Sequence, residues 1–299
     1  VEKRLQETVV IREQGLWPAK IALIDVSGIL VDQRRPELLG EGEHPVSLLA
    51  EKLDKAASDR AVKAVVVRIN SPGGSVTASD LIHHQIRSFK VRTGKPVVAV
   101  LMDVAASGAY YVACACDKII AHPTTVTGSI GVLMQTVSFA GLMQKLGIRS
   151  EAIKSGPRKD AGSFLRDLTP EERQIFQRLI DEFHQRFIET VAAGRPKLSK
   201  RRVAELADGR VYSAKQALEL GLVDQIGTLA DAVAEAKRRA GLRRANVVIY
   251  HRPLGWRPNV YAAWPGQGAT MSLLNVQLPG WPVPTTPQFM YLWSPVQRH

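Results

Sequence analysis

Along the first 250 positions, short runs of β-branched and other apolar residues alternate with amphipathic or capped stretches. This is the pattern of an α/β domain with a largely parallel sheet. The runs predict strands over 21–26, 62–69, 97–102, 118–121, 149–154 and 246–250. Helices are expected between them, over 45–58, 76–89, 169–191, 200–207 and 229–240. The third of these opens Thr169-Pro-Glu-Glu172, which places a capping residue at Thr169, proline at the first helical position and a glutamate where it can return the cap. No internal repeat of useful period is present.

The pattern breaks at His251. The last 49 residues hold eight of the 17 prolines and four of the five tryptophans, yet no Asp, Glu or Lys. Solvated tails are usually charged and poor in aromatics, so Trp256, Trp264, Trp281 and Trp293 are expected to be buried against something folded. The chain therefore divides into an arm (1–19), a main domain (20–250) and a Pro/Trp-rich extension (251–299). The extension is expected either to pack on a neighbouring subunit or to lay its end in a groove as an extended inhibitor.

Composition narrows the classes. With 299 residues, 45% hydrophobic and 23% charged, the chain can bury a large core and is not collagen-like, coiled-coil or disordered as a whole. Forty basic against 28 acidic residues give +12, which favours an anionic partner such as a lipid surface or nucleic acid. Cys114 and Cys116 lack the spacing of a zinc module or a disulfide framework and read as small buried hydrophobes. The apolar stretch 97–116 approaches membrane-span length, but Asp103 inside it costs about 2.5–3.5 kcal/mol on insertion scales, and Ala, Gly and Ser do not offset that. No transmembrane segment is expected. The polar start, 1–14, is no signal peptide, and a chain beginning at Val1 reads alike for a removed anchor and a non-standard start.

Three segments are richer in Gly and Ser than packing requires. Asn70-Ser-Pro-Gly-Gly-Ser75 follows the strongest strand and opens a helix, and its glycines can turn backbone N–H groups toward an anion or oxyanion. Ala105-Ala-Ser-Gly-Ala-Tyr110 places Ser107 at a second strand-to-helix turn, as an N-cap or as a nucleophile beside the Gly108 N–H. Lys154-Ser-Gly-Pro-Arg-Lys-Asp-Ala-Gly-Ser163 is a solvated basic loop or the source of a lysine base. His122, 15 residues after Ser107, is the histidine alternative. If residues 158–160 are extended, Lys159 faces a cleft while Arg158 and Asp160 face water.

In that order Asn70-Ser-Pro-Gly-Gly-Ser, Ala106-Ser-Gly-Ala-Tyr-Tyr, Thr127-Gly-Ser-Ile-Gly-Val and Ser155-Gly-Pro-Arg-Lys-Asp resemble the signal peptide peptidase A family of serine peptidases, over about residues 20–241. The resemblance implies the Clp protease/crotonase fold. It implies Ser107 as nucleophile, Lys159, 52 positions on, as general base, and Ser129 as the residue orienting the lysine. It further implies Gly74 and Gly108 as oxyanion donors, with no metal and no cofactor. Hydrophobic peptides such as cleaved signal peptides, with small or aliphatic residues at the cleavage point, would be substrates. A single copy of the catalytic segment resembles the short members, which assemble into rings or domes, an octamer being one form, with sites shared between subunits. Bacterial-type membrane association on an unspecified side is expected, and nucleic acid is not. His122 and the 251–299 extension depart from the family pattern. Two other readings stay open: a ring-forming membrane scaffold that makes no use of its dyad, and an acyl-CoA hydratase or hydrolase of the crotonase type.

Overall fold

The computed structural model describes residues 5–13, 19–32, 36–37, 40–41, 44–252 and 289–293. In chain order the elements are β1 (Gln6–Ile11), β2 (Lys20–Ser27), β3 (Pro36–Glu37), β4 (Gly40–Glu41), α1 (Pro45–Ser58), β5 (Val62–Ser71), β6 (Gly73–Ser75), α2 (Val76–Thr93), β7 (Val97–Ala106) and α3 (Gly108–Ala113). There follow β8 (Lys118–Ala121), β9 (Val126–Gly128), β10 (Leu133–Met134), α4 (Ala140–Lys145), α5 (Pro170–Gly194) and α6 (Lys200–Leu206). The remainder are β11 (Val211–Ser213), α7 (Ala214–Glu219), β12 (Gln225–Ile226), α8 (Leu229–Arg239), β13 (Asn246–His251) and β14 (Phe289–Leu292).

A nine-stranded sheet runs in the order β1-β13-β2-β5-β7-β8-β12, with β9 pairing β7 and β11 pairing β9. From β13 through β12 the main path is parallel, as are β7 and β9, while β1 and β11 join antiparallel. A parallel sheet needs cover on both faces. One face of β5 and β7 (Val65, Val67, Val97, Ala99, Leu101) packs with α1, α2, α3 and part of α5, and the other (Ala64, Val66, Val98, Val100) under α8. This is the expected Clp protease/crotonase-like α/β architecture.

The strands expected at 21–26, 62–69, 97–102, 118–121 and 246–250 are all present, and so are the five helices. Thr169 and Glu172 close the capping box at the start of α5. Cys114 and Cys116 are buried free thiols. Desolvation drives both pKa values up, that of Cys114 to about 12. Among the described residues no helix is long and apolar enough to cross a membrane.

The structure differs from the sequence expectation in three places. Residues 149–154 form no strand: they are exposed, Ile153 fully so, and no described strand lies beside them to take their backbone hydrogen bonds. Within the stretch expected as an arm, Gln6–Ile11 is an edge strand, joined to β13 through five residue pairs with an irregularity between Val9 and Ile11. Residues 289–292 form β14, although nothing in the extension was expected as a strand. Trp256, Trp264 and Trp281 lie outside the described residues; Trp293 is half-buried, and its N–H donates to the Pro72 carbonyl at 2.8 Å.

Candidate active site

The site is built where β5 and β7 end. Leaving β5, the chain turns through Pro72 into β6, a three-residue strand that pairs not with the main sheet but with β14. Two glycines are required here. A Cβ on Gly74 would stand 1.9 Å from the Leu30 carbonyl oxygen, and one on Gly73, at φ +98°, would stand 2.0 Å from the Tyr291 carbonyl oxygen. Leu30 N–H donates to the Gly73 carbonyl and Ser75 N–H to the Leu30 carbonyl, both at 2.8 Å, so that edge of β6 is tied to Leu30. Because successive backbone groups of a strand point to opposite edges, the Gly74 N–H is directed to the other edge, along which β14 runs. The Gly73 N–H is taken by the Ser71 hydroxyl at 3.1 Å.

Ser107 stands between the end of β7 and the start of α3, 1% exposed, at φ 56° and ψ −120°. A serine held at positive φ in a sharp strand-to-helix turn carries strain on the order of 1–3 kcal/mol and presents its hydroxyl at the head of the sheet. Its side chain makes no capping bond to α3, which removes the N-cap explanation of this serine. The backbone is fixed instead by Ser107 N–H donating to the Gly128 carbonyl at 2.7 Å. Gly108, the first residue of α3, has no carbonyl partner for its N–H inside the helix. A Cβ on Gly108 would sit 2.2 Å from the Ser79 hydroxyl oxygen, and the Gly108 nitrogen lies 2.7 Å from where a Gly73 Cβ would be. The two glycine turns thus meet.

Ser129 follows the carbonyl that holds Ser107 and is itself at positive φ (50°), 7% exposed, with its N–H donating to the Arg210 carbonyl at 2.8 Å. Ser107, Ser129, Gly74 and Gly108 are therefore gathered at one end of the sheet. Lys159 is not tied to them: it is exposed, and no side-chain hydrogen bond or ion pair holds it among the described residues. Its loop is a series of turns, with Lys159 N–H on the Gly156 carbonyl and Ala161 N–H on the Arg158 carbonyl, rather than extended. Asp160 is bound by Lys154 at 2.7 Å and by Arg166 at 2.7 and 2.9 Å, which hold its carboxyl far below the usual carboxylate range. His122 pairs through Nδ1 with the neighbouring Thr124 hydroxyl at 2.8 Å, a local contact within its own turn.

The segment that covers this site belongs to the extension, whose end laid in a groove was one of the two sequence expectations; what the sequence did not predict is that it forms a strand. β14 lies antiparallel between β6 and β10, with Tyr291 opposite Gly74 and Met290 opposite both Ser75 and Leu133. The Tyr291 carbonyl oxygen would be 3.1 Å from a Cβ on Gly108 as well as 2.0 Å from one on Gly73, so it rests where the two turns meet. The signal was a run of five apolar residues, Phe289-Met-Tyr-Leu-Trp293, in an otherwise proline-broken stretch.

Comparison with known proteins agrees with this architecture. The sequence profile of peptidase family S49 matches residues 90–243, and that of Clp protease matches residues 22–144. A relative from Enterococcus faecium, provisionally named signal peptide peptidase SppA, is 36% identical over 87% of this chain and 76% of its own. Protease 4 of Haemophilus influenzae is 35% identical over 77% of this chain but only 36% of its own length, and the chloroplastic serine protease SPPA of Arabidopsis thaliana is 34% identical over 81% and 36%. Of the readings left open by the sequence, the match falls on the peptidase: the chain belongs to peptidase family S49 and is a serine peptidase.

Proposed function

We propose that Ser107 is the nucleophile of a Ser/Lys dyad with Lys159 as general base, acting on hydrophobic peptides bound in extended form. The observation that supports this best is the strained, buried Ser107 at the meeting point of two glycine turns. The Ser107 hydroxyl attacks the peptide carbonyl as Lys159 takes its proton. The Gly74 and Gly108 N–H groups receive the developing oxyanion, a contribution commonly of about 3 kcal/mol per donor. Lys159 returns the proton to the leaving amine and then activates water to hydrolyse the ester. Ser129 orients the lysine. Cleaved signal peptides, apolar and released at a membrane, are suitable substrates, and a net charge of +12 favours residence at an anionic membrane surface.

An exposed lysine keeps its proton, and burial lowers its pKa toward neutrality. The burial comes from assembly. No residue from 131 to 171 is buried, although this stretch carries Phe139, Leu142, Leu146, Ile148, Ile153 and Phe164 in the open. Covering it with another copy of the chain removes that apolar surface from water and encloses the Lys159 loop, in a ring or dome whose sites draw Ser107 and Lys159 from adjacent subunits.

The test is labelling by a fluorophosphonate probe together with hydrolysis of apolar peptides. Ser107→Ala is expected to abolish both without loss of fold, and Lys159→Ala to abolish hydrolysis. His122→Ala is expected to keep most of the activity. An active Lys159→Ala beside a dead His122→Ala would show that the base is misassigned.

A further inference from the structure

We infer that the end of the sheet opposite Ser107 is a docking face for an anionic lipid surface, and that the protein stands on it with its active site turned away from the bilayer. The inference rests on the membrane residence proposed above, to which it gives a face and an orientation, and is independent of the Ser/Lys dyad.

Parallel topology separates the two ends. Strands β2, β5, β7 and β13 start together, and α1, α2 and α8 each deliver the chain to one of those starts, whereas Ser107 and the glycine turns lie where strands stop. The 10 residues of β5 set the ends about 30 Å apart at the rise of a strand. At the starting end Lys20 N–H donates to the Ala61 carbonyl and Asn246 N–H to the Ala19 carbonyl, both at 2.8 Å, so the turns leading into β2, β5 and β13 are neighbours.

Helix C-termini attract cations, which accounts for Lys90 and Arg92 at the end of α2 and for Lys237, Arg238 and Arg239 at the end of α8. It does not account for the cations beyond the helices. Arg12 follows β1, Arg60 lies in the turn into β5, Lys63 is the second residue of β5, and Arg243 stands between α8 and β13. All four are exposed, and no side-chain hydrogen bond or ion pair engages them among the described residues. The carboxylates nearby are already engaged: Asp59 with Lys20 at 3.0 Å, Glu13 with Lys237 and Asp117 with Lys90 at 2.8 Å, and Asp54 with Arg92 at 2.6 Å. Glu235 is held by Arg238 and Arg239. What stands in the open is uncompensated positive charge, with Val91, 85% exposed in the last turn of α2, as an apolar side chain beside it.

A lipid surface fits this end better than nucleic acid does. The free cations sit on short turns and a strand start rather than on a helix or hairpin that could enter a groove, and no exposed aromatic ring lies there among the described residues to stack on bases. Separated cations suffice for a leaflet of anionic headgroups, where each adds its own attraction. The uncovered stretch 131–171 follows β9, beside the last residues of β7, so covering it by assembly does not draw on this end. With the site about 30 Å from the headgroups, the substrates are peptides that have left the bilayer.

The test is sedimentation of the full-length protein with vesicles of phosphatidylcholine, alone or with phosphatidylglycerol as one lipid in three. Wild type is expected to bind only the anionic vesicles, and less as salt is raised. Arg60→Gln/Lys63→Gln/Arg243→Gln should lower the partition about a hundredfold, or about fivefold per cation. Arg173→Gln/Arg178→Gln/Lys215→Gln removes the same charge from exposed positions toward the Ser107 end and should bind within about twofold of wild type. Equal losses in the two triple variants would overturn the inference and leave membrane residence to net charge alone, and no binding by wild type would overturn both. Tighter binding of duplex DNA than of anionic vesicles at equal salt would overturn it as well. Vesicle-bound and free protein should hydrolyse a water-soluble apolar peptide at the same rate, and a rate that collapses on binding would refute the orientation. Hydrolysis absent from every form would remove the dyad and leave the docking face to stand on the binding data.

Discussion

At the scale of single residues, the Gly73-Gly74 and Ser107-Gly108 turns were legible in the sequence because turn chemistry is local: serine and paired glycines after an apolar run mark a strand that stops abruptly, whereas Ser129 was singled out only by the family resemblance. What was not legible is the company those residues keep. Tyr111, Phe187 and Tyr291 are 76 and 104 positions apart along the chain, and nothing local in an apolar ring says which other rings it meets. The same cluster holds His83, edge-on to Tyr111 at 5.1 Å. Burial, reinforced by the nearby Arg87 and only partly opposed by Asp80, lowers its pKa from 6.5 to about 4. Below pH 6.5 the unfolded chain therefore takes up a proton that the folded chain refuses. Stability is full above that pH and declines as pH falls toward 4, by about 3 kcal/mol in all. Urea midpoints measured between pH 7 and pH 4.5 should fall accordingly, and His83→Leu should flatten that part of the slope.

At the scale of elements, the strands of the buried sheet and the capped helices could be read because period and caps are intrinsic to each. The stretch 149–154 could not, since its short apolar pair, Ala152-Ile153, between polar residues looks alike in a strand and in an exposed loop. Helix α5 shows how one element disciplines the loop before it. Arg166 donates to both oxygens of Glu172, at 2.5 and 2.8 Å, and to Asp160, so one guanidinium fastens the Lys159 turn to the helix start. The arginine also holds the Glu172 carboxyl down to about 2. This contribution is complete above the ordinary carboxylate pKa and is lost as pH falls toward 2. Arg166→Ala should make residues 155–165 the first site of limited proteolysis and reduce hydrolysis while sparing the labelling of Ser107. Asp160→Asn should loosen the same turn, and the acid limb of the rate profile should stay in place because the Asp160 carboxylate is engaged with Lys154 and Arg166 rather than with Lys159.

At the scale of the whole molecule, the proposed pairing of a serine in the core of the fold with a lysine on an uncovered loop predicts that activity is a property of the assembly. Hydrolysis per subunit should drop on dilution below the assembly constant and return on concentration. Mixing inactive Ser107→Ala and Lys159→Ala subunits under exchanging conditions should restore part of the activity. Mixed assemblies that stay inactive would place both groups in one chain. The far edge of the sheet has a different consequence, one of time rather than chemistry. Strand β1 pairs with β13, and the Thr8 hydroxyl meets His251 across 243 positions of sequence. Closing so long a loop adds little to the equilibrium cost but delays contact formation, because the partner strand is the last piece of the sheet to be synthesised. Until it arrives, β2 has an unpaired edge open to other nascent chains. The first strand made is thus the last strand placed, and the interval between the two is when this protein is most exposed to aggregation.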